Sequence, residues 1–369
     1  VLVKTVLVVF GTRPEAIKMA PVVQAIQTSQ KLKAVTCATA QHRHLLDQVL
    51  GFFGIAPDFD LNLMQENQDL FDITFHCLRK LKEVLFHVRP DAVLVQGDTT
   101  TTFAAALASY YARVPIGHVE AGLRTLNKYA PFPEEMNRRM VGPMVDYHFA
   151  PTTDAVRNLL SENVPAEQVF HTGNTSIDAL LWGSSQGLSF THLSKLYAGK
   201  KLILLTAHRR ENFGEPIRQI FSAIREFAQM RQNFHIIYPV HPNPNVRMPA
   251  QELLSGLGNV SLISPLSYSE LIFLMRECEF ILTDSGGIQE EAPTLGKPVL
   301  VLRETTERPE AVAAGCSQLV GHNKSLILKM LLTLSSEPSE LYQSMSRSAN
   351  PFGDGSAAKK IVSILEERL

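Results

Sequence analysis

One pattern constrains the fold of this chain more than any other. Short, continuously apolar runs alternate with longer amphipathic stretches, and the alternation is run through twice. The first series of apolar runs is 4–10, 34–38, 92–96, 115–119 and 147–150; the second is 201–206, 235–239, 260–263, 280–283 and 298–302. Helix-like stretches lie between them at 15–27, 70–87, 100–112, 217–231 and 288–295. Strands without apolar/polar alternation, separated by helices, are the mark of parallel sheets buried on both faces in βαβ units. The series breaks between 152 and 198, where the pattern turns helical and turn-rich. The expected fold class is therefore α/β, with two Rossmann-like, doubly wound domains facing across a cleft. The expected division is 1–170 and 171–352, with a closing helix within 353–369 crossing back to the first domain. Ligands of such sheets bind beyond the C-terminal ends of the strands, so the cleft is the expected site.

Composition removes several classes of function. Thirty-five basic residues nearly balance 36 acidic ones, for a net charge of −1. Nothing global favours nucleic acid or an anionic membrane, so any anion site must be built locally. No apolar run approaches the length of about 20 residues that spans a bilayer. The apolar start runs straight into Gly11-Thr12-Arg13-Pro14 without a small-residue cleavage pattern, and reads as a first core strand. Cys37, Cys77, Cys278 and Cys316 are scattered and form no C-x-x-C pair, which fits a reducing cytoplasm. His42-Arg43-His44 lacks metal-ligand spacing on a helix, because i and i+2 face apart. The G-x-G-x-x-A run from Gly353 follows no strand, so it lacks the context of a dinucleotide fingerprint.

Four constellations carry chemistry. Gly11-Thr12-Arg13-Pro14-Glu15 follows the first strand; a helix start there, with Arg13 and Lys18, makes an anion pocket. The same spacing also serves an ordinary strand–turn–helix corner. Asp284-Ser285-Gly286-Gly287 follows the run 280–283, and its small residues let backbone approach a phosphate. Glu290 or Glu291, one turn on, would accept ribose hydroxyls, or would be solvated. Asp98, Glu120, Glu134 and Glu135 fall at or near strand ends, where gathered carboxylates can divide acid and base work. Singly, each is as readily a helix cap or a surface charge; Asp98 before four threonines is a natural N-cap. His208-Arg209-Arg210 after the run 201–206 suits a diphosphate, and the stiff loop at His241 follows the run 235–239.

Taken in order, the runs GTRPEAIKMAP (11–21), GDTTTT (97–102), GHVEAGLR (117–124), PEEMNRR (133–139), TGNT (172–175), HRREN (208–212), DSGGIQEE (284–291), TERPE (306–310) and NPFGDG (350–355) resemble the non-hydrolysing UDP-N-acetylglucosamine 2-epimerases of bacteria. The resemblance covers essentially the whole chain. It implies a GT-B-type fold, a homodimer in the cytoplasm, no cofactor or metal, and a place in polysaccharide biosynthesis. It implies UDP-N-acetylglucosamine and UDP-N-acetylmannosamine as substrate and product, interconverted through a 2-acetamidoglucal. Carried over by position, the catalytic groups would be Asp98, Glu120, Glu134 and His208. The substrate would be held by Arg13, Lys18, Ser285, Gly286, Gly287 and Glu291. Gln41, Glu135, Arg209 and His241 match an activating second substrate site, from which His44 and Asn67 depart. A hydrolysing epimerase, a glycosyltransferase of the same architecture and a silent UDP-sugar sensor are the rival readings.

Overall fold

The computed structural model describes residues 2–39, 43–63 and 68–369. It divides into two compact units, Val1–Trp182 with Phe352–Leu369, and Gly183–Pro351. The first boundary thus falls later than the position 170 expected from sequence. The reason is a short strand and a helix, Val169–His171 and Thr175–Ser184, that the pattern does not announce. The strand pairs with Tyr147–Ala150 and extends the first sheet.

The first unit holds a seven-stranded sheet. Its strands are β1 (Lys4–Phe10), β2 (Leu32–Ala38), β3 (Phe59–Asp60), β4 (Ala92–Gln96), β5 (Ile116–Val119), β6 (Tyr147–Ala150) and β7 (Val169–His171). They run in the order β3-β2-β1-β4-β5-β6-β7, and every pairing is parallel. Val6 to Phe10 of β1 are all buried, as a central strand covered on both faces requires. On one face Leu7, Val9, Val93 and Val95 pack with Cys77, Leu81 and Ala105 of helices Leu70–Val88 and Thr100–Ala112. The C-terminal helix Ala357–Arg368 packs on helix Arg13–Gln27, and Ser29 donates to Glu366 at 2.5 Å. Its first turn is held by Asp178, which accepts from the amides of Ala357 and Ala358 at 3.3 and 2.9 Å.

The second unit repeats the plan with six strands: β8 (Lys201–Thr206), β9 (Phe234–Pro239), β10 (Val260–Ile263), β11 (Phe280–Thr283), β12 (Val299–Val301) and β13 (Ser317–Leu319). The order is β10-β9-β8-β11-β12-β13, again all parallel. Helix Glu215–Met230 buries Ile217, Ile220, Phe221, Ile224 and Phe227 against Ile203 and Leu205. Strand order reverses between β1 and β4 in the first sheet and between β8 and β11 in the second. Those are the two topological switch points, where doubly wound sheets take their ligands.

Candidate active site

At the first switch point the turn after β1 and the loop after β4 come together. Thr12 caps helix Arg13–Gln27, with Pro14 in its first turn, and Glu15 completes a capping box. Gly11 is tightly enclosed: a Cβ there would lie 2.2 Å from Thr39 Oγ1 and 2.5 Å from Thr101 Oγ1. Across the gap, the cap of helix Thr100–Ala112 is Thr99 rather than Asp98. Asp98 is therefore released from capping. Its carboxylate instead pairs with Arg138, and its carbonyl accepts from Asn137 Nδ2 at 2.8 Å. The preceding carbonyl, of Gly97, bonds His118 Nε2 at 2.7 Å. Burial, reinforced by Arg124 and Arg138, takes the His118 imidazole down to about 4 despite that bond, so it is neutral at neutral pH.

Glu120 follows β5 with φ +65°, a left-handed conformation unusual for a residue with a side chain. Such a backbone costs on the order of 1–3 kcal/mol and persists only where its surroundings hold it. Here Lys18 forms an ion pair with Glu120, and Gln96 Nε2 and Asn174 Nδ2 donate to Oε2 at 3.1 and 3.4 Å. Lys18, expected beside the nucleotide, thus stands against a carboxylate. Glu134 opens helix Glu134–Val141, and its Oε2 is buried with no hydrogen-bond partner among the described residues. It shares a helix face with Arg138 at i+4, which carries it to the side where Asp98 lies. An ionisable oxygen buried without a partner calls for one from outside the chain. Glu135 is different: it is fully buried, accepts from the amides of Thr125 and Leu126 at 2.9 and 3.2 Å, and holds Arg138 at 3.3 Å.

At the second switch point Asp284, wholly buried, organises the loop after β8. Its Oδ2 accepts from the amides of His208 and Arg209 at 2.7 and 2.8 Å and from Asn212 Nδ2 at 3.1 Å. Its Oδ1 lies 3.4 Å from His208 Nδ1. Burial lowers the His208 imidazole, Asp284 pulls it back up, and His241 and Arg209 lower it further. His241 stacks on His208, with ring centroids 5.7 Å apart. Ser285 leads into helix Gly286–Glu291 without capping it through its side chain, which leaves first-turn amides for an acceptor. A Cβ on Gly286 would stand 3.8 Å from Arg209 Nη2 and 3.7 Å from Arg308 Nη2, so two guanidinium groups flank that helix start. Arg308 is aimed by Glu290, 2.5 Å from its Nε. Glu290 is thus buried in an ion pair. Glu291 is buried and accepts from Tyr268 at 3.3 Å.

The structure sets Asp98 and Glu120 just past the ends of β4 and β5, and Glu134 one turn before the Arg138 that pairs with Asp98. It brings His208, Arg209, His241, Ser285, Gly286 and Gly287 to one end of the second sheet. Arg13 and Lys18 lie on the helix that follows β1, and Gln41 lies outside the described residues. Sequence reasoning gave no role to Arg138, Gln96, Asn174 or Arg308, and read Asp284 only as the head of a phosphate loop. Arg138, four residues after Glu134 on a helix, carried a legible signal; the others act across long stretches of chain.

Comparison with known proteins gives a consistent answer. The family profile described as UDP-N-acetylglucosamine 2-epimerase matches residues 24–366. The UDP-N-acetylglucosamine 2-epimerase of Escherichia coli K12 is 53% identical, covering 98% of each chain, and that of Salmonella typhimurium is 52% identical over the same shares. The crystal structure of the Neisseria meningitidis UDP-GlcNAc 2-epimerase bound to UDP-GlcNAc superposes with a TM-score of 0.91 at 51% identity, covering 98% of this chain and 100% of that one. A glycotransferase of kitacinnamycin shares the fold at 11% identity and a TM-score of 0.64, covering 98% and 99%.

Proposed function

From the premise that this chain belongs to the UDP-N-acetylglucosamine 2-epimerase family, we propose that it equilibrates UDP-N-acetylglucosamine with UDP-N-acetylmannosamine without net hydrolysis. The C2 proton of the sugar is not adjacent to a carbonyl, so no stabilised enolate is available and direct deprotonation is prohibitively slow. Breaking the C1–O bond as the C2 proton leaves gives a 2-acetamidoglucal, with the electron pair of the broken bond departing on UDP. Re-adding UDP at C1 and a proton to the other face of C2 completes inversion. This chemistry needs an acceptor for the diphosphate charge, a base on one face and an acid on the other.

The observation that carries the reading is the gathering of three carboxylates with separate partners in the first unit. Asp98 is fixed by Arg138, Glu120 by Lys18 and Gln96, and Glu134 keeps a buried oxygen without a partner among the described residues. Carboxylates gathered in distinct surroundings can divide acid and base work between them. His208 and the amides of Gly286 and Gly287 take the leaving diphosphate, with Arg13, Ser285 and Glu291 holding the nucleotide. Lys18 acts through Glu120. In this reading Glu135 serves as the buried brace of Arg138, and Arg209 and His241 remain the second-unit candidates for an activating substrate. Asp98→Asn and Glu120→Gln should abolish epimerisation while UDP still binds; normal turnover in both would refute their roles. Accumulation of free UDP during turnover would favour the hydrolysing reaction instead.

The homodimer belongs to the same proposal, supported by an outward apolar face on helix Leu70–Val88. Phe71, Phe75 and Phe86 are exposed there, Phe71 by 85%, beside exposed Tyr110 and Tyr111 of the neighbouring helix. A two-fold axis at the helix midpoint would set Phe71 on Phe86 and Phe75 on Lys82 of a second copy, the self-complementary pairing of an isologous contact. Lys82 already sits 6.0 Å from the centroid of the Phe86 ring.

A further inference from the structure

We infer that Glu15 is a positioning residue for the epimerisation: a buried strut that sets the Asp98 loop against the turn beginning at Gly11, acting through Thr99. The inference rests on the role proposed for Asp98. Four hydrogen bonds converge on this one carboxylate. Oε2 accepts from the amides of Gly11 and Thr12 at 2.9 and 2.7 Å. Oε1 accepts from the hydroxyls of Thr99 and Thr102 at 2.6 and 3.1 Å.

Capping alone does not account for this arrangement. A capping box needs one oxygen of its glutamate, returned to the cap amide, and is commonly solvated. Here the cap uses Oε2, while Oε1 reaches a threonine 84 residues away in sequence, and the whole group is buried. Burial raises its proton affinity, and its hydrogen bonds work against that rise. Thr99 is held at both ends, since its oxygen also accepts from the amide of Thr102 at 3.2 Å. Asp98 directly precedes it. The loop is pinned at Gly97 by His118 and at Asp98 by Asn137 and Arg138; Glu15 adds the tie to β1. The span from Thr12 to Thr99 is therefore set by the length of one side chain. Proton transfer is sensitive to that span, because a displacement of about 1 Å can cost on the order of 100-fold in rate.

The test compares Glu15→Gln, Glu15→Asp and Asp98→Asn, each assayed for kcat, KM, UDP affinity and the isotope effect on kcat with C2-deuterated UDP-N-acetylglucosamine. Glutamine has the same reach, and the two threonine hydroxyls can turn to accept from its amide. It should recover turnover to within about threefold. Aspartate is one methylene too short to serve both loops. It should lower kcat by roughly 10- to 100-fold, with UDP affinity kept, and raise the isotope effect as proton transfer becomes limiting. A residue that merely stabilised the helix would lower the melting temperature and leave the isotope effect of the folded enzyme unchanged. If Glu15→Asp does not fold, Thr99→Val cuts the same tie from the other side and should raise the isotope effect in the same way. Wild-type kcat and isotope effect in Glu15→Asp, with Asp98→Asn inactive, would overturn the strut alone. Normal turnover in Asp98→Asn would remove the role of Asp98 and the proposal with it. A Glu15→Gln enzyme as impaired as Glu15→Asp would show that charge rather than reach is at work and would equally refute it.

Discussion

Replacing Gly11 by alanine adds a single methyl group where Thr39 and Thr101 close on the turn after β1. The new Cβ would lie 2.2 Å from Thr39 Oγ1, 2.5 Å from Thr101 Oγ1 and 3.2 Å from Thr101 Cβ. Ordinary contacts are more than 3.4 Å, so about 1 Å must be found. The two hydroxyls share a hydrogen bond of 3.0 Å, and both residues are buried. Turning either away breaks that bond and strands two polar atoms, at about 1–3 kcal/mol for each. Moving the turn instead incurs overpacking strain of about 1–3 kcal/mol and lifts the Gly11 and Thr12 amides from Glu15. Either route predicts a loss of about 2–6 kcal/mol in the first unit, and the second lowers kcat by roughly 10- to 100-fold. Hydrogen exchange of β1 amides reads the stability of this unit by itself, which a single melting curve of a two-unit chain does not. Thr39→Ala in the Gly11→Ala background should recover at least about 1 kcal/mol, because the two sites are in contact. Wild-type exchange and turnover in Gly11→Ala, or no coupling to Thr39, would refute the packing argument.

Asp284→Asn removes the charge that draws His208 upward, so the imidazole should lose its proton at lower pH. The alkaline limb of the kcat profile then moves to lower pH; an unmoved limb would take His208 out of the departure of UDP. In the second unit, burial pushes Glu307 up, but its bonds to Arg303 at 3.0 and 3.1 Å, aided by Arg209 and Arg308, hold it at about 2 instead of the ordinary 4.5. A depressed carboxylate contributes stability above its unfolded value and loses it as pH falls, here from about 4.5 towards 2. Glu307→Gln should flatten the acid dependence of second-unit unfolding in that window, as followed by hydrogen exchange. Phe75→Glu places a charge in the outward stripe of helix Leu70–Val88 and should shift the chain to monomer in sedimentation velocity; an unchanged species would place the self-contact elsewhere or exclude it.

The sheets were legible because parallel strands of four or more residues form continuous apolar runs. The runs at 4–10, 92–96, 147–150, 201–206, 260–263 and 280–283 coincide with β1, β4, β6, β8, β10 and β11. β3, β7 and β13 were not: they have two or three residues and, unlike the three-residue β12 within the run 298–302, sit in no continuous apolar run. Losing β7 moved the expected domain boundary. The site was legible in part for a related reason. Gly11, Asp98, Glu120, His208 and Asp284 all follow strands, and strand ends are where doubly wound sheets act. What holds these groups was hidden, because Lys18 meets Glu120 across 102 residues and Asp284 meets His208 across 76. The same absence of tertiary information made Asp98 look like a cap, when Thr99 takes that place and leaves the carboxylate to Arg138. It also hid the ion pair by which Glu290 aims Arg308.

The central claim is that a proton leaves and returns at C2 of the sugar while UDP is only transiently released. Incubating the protein with UDP-N-acetylglucosamine in heavy water, without any acceptor, tests it directly by NMR of the recovered nucleotide sugars. Deuterium at C2 in both epimers, with no lasting build-up of UDP, is the predicted result. A recovered nucleotide sugar with its C2 proton intact after many expected turnovers would contradict the account.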